Sequence, residues 1–113
     1  MIYQMNLSAI PFGLIKNQRK VVEMRLKTKE RENIKAGDLI EFTKVNGHEK
    51  LTVEVLSVSS FPSFKELYDA FDKKDLGYSE NEPANYRDMN LYYKDEVKRL
   101  KMEKSYVQSD KSY

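Results

Sequence analysis

The sequence predicts an α+β domain: a small curved sheet or open barrel of mostly antiparallel strands, with helices at its rim. Three observations predict it. Residues 21–26, 39–43 and 51–58 alternate apolar and polar side chains with the period of two that marks a half-buried strand. Asn46-Gly47, between the second and third of these, is a strong hairpin signal. Residues 9–16, 64–71 and 86–101 instead carry apolar residues three and four apart, the spacing of a helix face.

In chain order, residues 2–7 read as an opening strand. Ser8 is placed to cap a helix over residues 9–16, with Pro11 tolerated in its first turn. Ile10 with Leu14, and Phe12 with Ile15, give that helix a wide apolar stripe, and Asn17 is expected to take the left-handed conformation that ends it. In the strand at 21–26, Val22, Met24 and Leu26 alternate with Glu23 and Arg25, which puts the two charges on one sheet face. Ala36-Gly37-Asp38 supplies the turn into the next strand, where Ile40 and Phe42 point inward. His48 sits at the hairpin tip and reads as exposed.

Residues 57–60 are small and polar. Ser63 and Glu66 form a capping box, and Phe64, Leu67, Tyr68 and Phe71 stripe the helix behind it as core. Residues 73–84 read as loop. Asn85 is placed to cap a last helix over residues 86–101, with Met89, Tyr93, Val97 and Leu100 on one face. The domain is drawn at 1–101. Residues 102–113 remain a polar tail that either frays or adds a short strand at Tyr106-Val107.

With 113 residues, the chain suits one domain with a modest core; 40 % hydrophobic and 34 % charged residues suit a soluble globular protein. The absence of cysteine excludes disulfides, thiolate metal sites and cysteine nucleophiles. A single histidine argues against a zinc site or a histidine triad. No metal or cofactor is expected. No apolar run reaches the roughly 18 residues of a membrane helix, and Met1-Ile2-Tyr3 does not open a signal peptide, so a cytoplasmic location without membrane attachment is expected. The net charge of +2 is balanced, but residues 16–35 hold eight basic residues against three acidic ones. Such a segment is either a solvated loop or a phosphate-facing patch.

Several stretches together resemble a known family. They are Pro-Phe-x-x-Ile-Lys at 11–16, Lys-x-x-Glu-x-Arg-Leu at 20–26, and Lys-Glu-Arg followed by Ile-Lys-x-Gly-Asp-x-Ile-x-Phe within 29–42. Val-x-Val-x-x-Val at 53–58, Phe-Pro-Ser-Phe-x-Glu-Leu at 61–67, Leu-Gly-Tyr at 76–78 and Met-x-x-Tyr-Tyr at 89–93 follow in order. The chain resembles the ASCH domain, a branch of the PUA-like β-barrel superfamily. The resemblance implies a small PUA-like β-barrel with a cleft, lined by the polar strand, for RNA or a modified nucleoside. Some small bacterial relatives are amidohydrolases that deacetylate acetylcytidine through a lysine, a threonine three residues later and a more distant glutamate. Lys20 matches the lysine and Arg25 a family arginine, but Glu23 stands at the threonine position and residues 73–75 offer no clear glutamate. Gln18 replaces a usual glycine, and Lys101-Met102 with the polar tail replace a closing Gly-Val strand.

Three functions follow. In the first, Lys20 and Arg25 neutralise phosphate or bond a base edge and Glu23 accepts from an exocyclic amine. Arg31 joins the ligand-binding set, and Phe61, Tyr92 or Tyr93 stacks on a base. In the second, an amidohydrolase, Lys20 and Glu23 are catalytic: Glu23 is the general base and Lys20 or Arg25 stabilises the oxyanion. In the third, Glu23 and Arg25 form a structural ion pair and the partner surface lies elsewhere. Convergence of Lys20, Glu23 and Arg25 in a concave pocket favours the first two. If the cluster binds a base, Glu23→Gln is expected to weaken binding while changing stability by no more than about 1 kcal/mol.

Overall fold

The computed structural model describes residues 1–93 and the strand at 103–112. The elements are β1 (Ile2–Leu7), α1 (Ala9–Lys16), β2 (Val22–Leu26), β3 (Leu39–Lys44), β4 (Lys50–Phe61), α2 (Phe64–Ala70), a 3-10 helix (Tyr86–Leu91) and β5 (Glu103–Ser112). The five strands form one sheet in the order β1-β3-β4-β5-β2. β1 runs parallel to β3, and the other three pairings are antiparallel. Register shifts where β4 meets β5 lie between Val53 and Val55 and between Val55 and Ser57, the kind of irregularity that bends a strand.

The barrel does not close. β1 and β2 are the two ends of the strand order, and no backbone pairing joins them among the described residues. A side chain spans the gap instead: Arg25 Nη2 on β2 donates to the Asn6 carbonyl on β1 at 2.7 Å. The α+β architecture therefore stands, as an open curved sheet rather than the β-barrel that the family resemblance implies.

Two apolar clusters hold the elements. Phe12 and Ile15 of α1 pack with Met5, Leu7, Ile40, Phe42, Leu51, Val53 and Val55 of β1, β3 and β4. Val22, Met24 and Leu26 of β2 pack with Phe64, Leu67, Leu76 and Met89. The period of two in β2 thus buries one face in this cluster and leaves Glu23 and Arg25 on the other.

Local signals act where the chain must turn. Gly37 takes φ +93°, and Asp38 Oδ2 accepts from Lys35 N at 3.0 Å to fix the turn before β3. Asn46 alone carries the positive φ of the hairpin loop, with Gly47 outside that region. Ser63 accepts from Glu66 N at 3.2 Å, the forward half of the capping box. Ser8 has the extended cap backbone but makes no side-chain cap bond.

Several expectations are corrected. Gln18, at φ +61°, takes the left-handed position expected for Asn17, which sits at φ −88°. Gln18 N donates to Ile15 O at 3.0 Å and Arg19 N to Leu14 O at 2.8 Å, the two bonds of a Schellman closure. β4 runs beyond the expected end at residue 58 to Phe61, because β5 supplies backbone partners from Ser57↔Val107 to Phe61↔Glu103. Residues 103–112, expected as a tail with at most a short strand, form a ten-residue strand between β4 and β2. The expected last helix is 3-10 over Tyr86–Leu91, Tyr92 and Tyr93 follow as a turn, and residues 94–101, with Val97 and Leu100, lie outside the described residues. Among the described residues no helix is long and apolar enough to cross a membrane.

Candidate functional site

A cleft of about 490 Å³ opens between the start of α1, the polar face of β2, Tyr68 of α2, the turn at Gly77-Tyr78 and the 3-10 helix. That volume lies within the range of roughly 300–1,000 Å³ typical of small-ligand pockets. The Schellman closure returns the chain from α1 so that Lys20 enters the cleft wall just before β2. Asp75 O then accepts from both Val21 N (2.9 Å) and Val22 N (3.0 Å), which holds the 75–78 turn against this point. Gly77, at φ +105°, completes the fit: a Cβ there would lie 3.3 Å from both Lys20 Cδ and Leu14 Cδ1.

On this wall Lys20, Glu23 and Arg25 form one ionic chain. Lys20 Nζ donates to Glu23 Oε1 at 2.6 Å, and Arg25 Nε donates to Glu23 Oε2 at 2.8 Å. Met24 N adds a 3.2 Å bond to Oε1. Glu23 is 2 % exposed and Lys20 6 %. Burial by itself pushes the Glu23 carboxyl up, but the Lys20 and Arg25 charges and their hydrogen bonds together outweigh it and hold the group at about 2. Glu23 is therefore firmly ionised and a weak base at neutral pH.

The three ammonium protons of Lys20 matter more. Among the described residues Glu23 is the only hydrogen-bond partner of Lys20 Nζ, so two donors remain on a nearly buried cation at the cleft wall. Arg31 also lines the cleft, with Nη1 donating to Leu26 O at 3.0 Å.

A second wall of the cleft is built from Tyr68, Tyr78 and Asp88, none of them among the expected site residues. Tyr78 Oη donates to Asp88 Oδ2 at 2.7 Å and lies 2.9 Å from Tyr68 Oη and 3.4 Å from Asn85 O. Burial and the Asp88 carboxylate push the Tyr78 phenol up. Burial also raises Tyr68. The i+4 spacing from Phe64 puts Tyr68 in the core stripe of α2, but spacing cannot show that the ring's hydroxyl end leaves that core. Glu82 also lines the cleft, outside residues 73–75 where the family resemblance implies a glutamate.

The predicted aromatic residues separate. Tyr92, 54 % exposed, and Tyr93 line the cleft, and Tyr93 stacks on Phe64 at 5.9 Å. Phe61 is not among the cleft-lining residues; its ring meets Phe71 edge-on at 6.0 Å beside the second apolar cluster. α1 presents two apolar faces, with Phe12 and Ile15 to the core and Ile10, Pro11 and Leu14 to the cleft. Ile10 (78 % exposed) and Leu91 (82 %) leave apolar surface in the cleft open to solvent. The basic segment does not act as one patch: Lys20, Arg25 and Arg31 reach the cleft, whereas Lys16 pairs with Glu49 on β3–β4 hairpin residues.

An open curved sheet with a buried ionic chain in its cleft defines a small α+β fold. The ASCH domain family model matches residues 5–108, and the chain belongs to the ASCH domain family. Its fold is similar to that of the hypothetical protein PH0355, at 24 % identity over 96 % of this chain and 98 % of that one, TM-score 0.80. It is also similar to protein PF0455 from Pyrococcus furiosus, at 25 % identity over 96 % of each chain, TM-score 0.66. The ASCH protein from Zymomonas mobilis shares the fold at 13 % identity, over 96 % of this chain and 67 % of that one, TM-score 0.68. No curated protein matches the sequence.

The ionic chain also revises the expected cost of Glu23→Gln. A carboxylate bridging two cations out of water cannot be neutralised cheaply, because both cations lose their counter-charge while still buried.

Proposed function

We propose that the cleft binds a nucleobase, as a free modified nucleoside or as one splayed-out residue of single-stranded RNA. The observation that carries this reading is Lys20: a cation only 6 % exposed, at a cleft wall, with two donors left over among the described residues. Such donors need an acceptor, which a base carbonyl, a ring nitrogen or a phosphate supplies. Tyr92 and Tyr93 offer ring surface for stacking, and Ile10 and Leu91 offer apolar contact in the same cleft. Arg31 can reach a phosphate. Membership of the ASCH family is consistent with this reading.

Hydrolysis through Glu23 is the weaker reading. Glu23 replaces the threonine hydroxyl of the amidohydrolase pattern, its oxygens are tied to Lys20, Met24 N and Arg25, and its low pKa makes it a poor proton acceptor.

Fluorescence anisotropy with short single-stranded RNAs, and calorimetry with nucleosides, test the proposal at two salt concentrations. Tyr92→Ala removes only an exposed ring, so it leaves the fold intact; stacking of about 1–3 kcal/mol predicts roughly tenfold weaker binding. Arg31→Ala is expected to lower the salt dependence for RNA. Binding insensitive to both variants overturns the assignment of this cleft. Release of acetate from acetylcytidine would instead revive hydrolysis.

A further inference from the structure

The phenol wall has a fixed hydrogen-bond direction. A phenol carries one proton and acceptor lone pairs, and an ionised carboxylate only accepts. Tyr78 has Asp88 Oδ2 at 2.7 Å and Asn85 O at 3.4 Å, both acceptors, so its single proton is committed to that side. The 2.9 Å contact between the phenols must then be donated by Tyr68. With its proton spent on Tyr78, Tyr68 has only lone pairs to offer a ligand. Tyr68 lines the same cleft as Lys20, which has only donors to offer.

We propose that Tyr68 is a specificity-determining residue that reads a hydrogen-bond donor on the ligand, its polarity set by Tyr78 and Asp88. This rests on the nucleobase reading above and narrows it. A base that presents an acceptor to Lys20 and an amine N–H to Tyr68 satisfies both walls; cytosine and adenine have such edges. A base lacking the amine leaves the Tyr68 oxygen desolvated and unpaired, and sites built to bond a polar group discriminate strongly against analogues without it.

The test compares cytidine with the pyrimidin-2-one ribonucleoside, and adenosine with purine ribonucleoside, by calorimetry. Each analogue lacks only the exocyclic amine and adds no bulk. The wild-type protein is expected to prefer the amine-bearing member of at least one pair by tenfold or more. Tyr68→Phe, which keeps the ring, should reduce that preference to about twofold. Tyr78→Phe should reduce it too, because Tyr68 loses its acceptor and becomes free to donate into the cleft. Equal wild-type binding within both pairs overturns this proposal and leaves nucleobase binding standing. A preference that survives in Tyr68→Phe also overturns it. No binding of any of the four compounds, with no RNA binding in the preceding assay, overturns both.

Discussion

One wall of the cleft is an ionic chain, Lys20–Glu23–Arg25, and the other is a chain of phenols, Tyr68–Tyr78, ending on Asp88. Both present directional hydrogen-bonding groups to the same space, but they are stabilised differently. The ionic chain took charges out of water and depends on all three members for compensation. The phenol chain buries neutral groups and leaves its one charge, Asp88, on an exposed residue. The ionic wall should therefore be costly to break and rigid, and the phenol wall inexpensive to alter. That difference suits a site in which one wall is scaffold and anchor while the other sets selectivity.

The largest effect should come from breaking the ionic chain at its centre. Glu23→Gln is expected to cost about 3–5 kcal/mol of stability in urea denaturation, because Lys20 and Arg25 stay buried without their counter-ion. The apolar double variant Lys20→Met/Glu23→Leu should recover part of that loss while abolishing ligand binding. A Glu23→Gln protein as stable as wild type would mean the chain is more hydrated than its burial indicates.

Acid provides the next test. Glu23 has its folded pKa lowered from 4.5 to about 2, so between these values the unfolded chain binds more protons than the folded one. Stability from this group is full above pH 4.5 and is lost as the pH falls toward 2, on the order of 3 kcal/mol in total. The pH dependence in that window should shrink sharply in the Lys20→Met/Glu23→Leu variant.

Gly77 joins the two walls, packing on Lys20 one residue before Tyr78. Gly77→Ala meets both a positive φ and Cβ contacts at 3.3 Å, and is expected to cost about 1–3 kcal/mol while displacing Lys20. Weakened binding with unchanged stability would show that the turn yields more easily than this geometry implies.

The phenol wall should respond least, and at the other end of the pH scale. Tyr78 has its folded pKa raised, so the folded chain keeps a proton that the unfolded chain loses above about pH 10. Its contribution is present below pH 10 and fades as the pH rises through the folded value. A spectrophotometric tyrosine titration should show a late-ionising group that disappears in Tyr78→Phe, with little change in stability at neutral pH.

Much of the ionic wall was legible, because its geometry is local. Lys20, Glu23 and Arg25 lie within six residues, and the period of two in β2 places the last two together. The phenol wall was not legible. Tyr68, Tyr78 and Asp88 come from a helix, a turn and a 3-10 helix, and helix periodicity reports which face of Tyr68 is apolar, not where its hydroxyl ends. Phe61 was misleading in the opposite way, since an aromatic residue at a strand end serves a core as readily as a ligand.

The sequence by itself determined the α+β class, the strands β1 to β4, the cap at Ser63, the turns at Gly37 and Asn46, and the pairing of charges on β2. These rest on side-chain alternation, φ preference and hydrogen bonds between near neighbours, all written within a few residues. Only the tertiary structure decided that residues 59–61 and 103–112 are strand, since a backbone ladder forms wherever a partner strand lies alongside, whatever the side chains. It also decided that the sheet stays open with Arg25 spanning β2 to β1, and that two polar walls from distant segments share one cleft. Those outcomes depend on where elements far apart in the chain come to rest, and no local pattern encodes that distance.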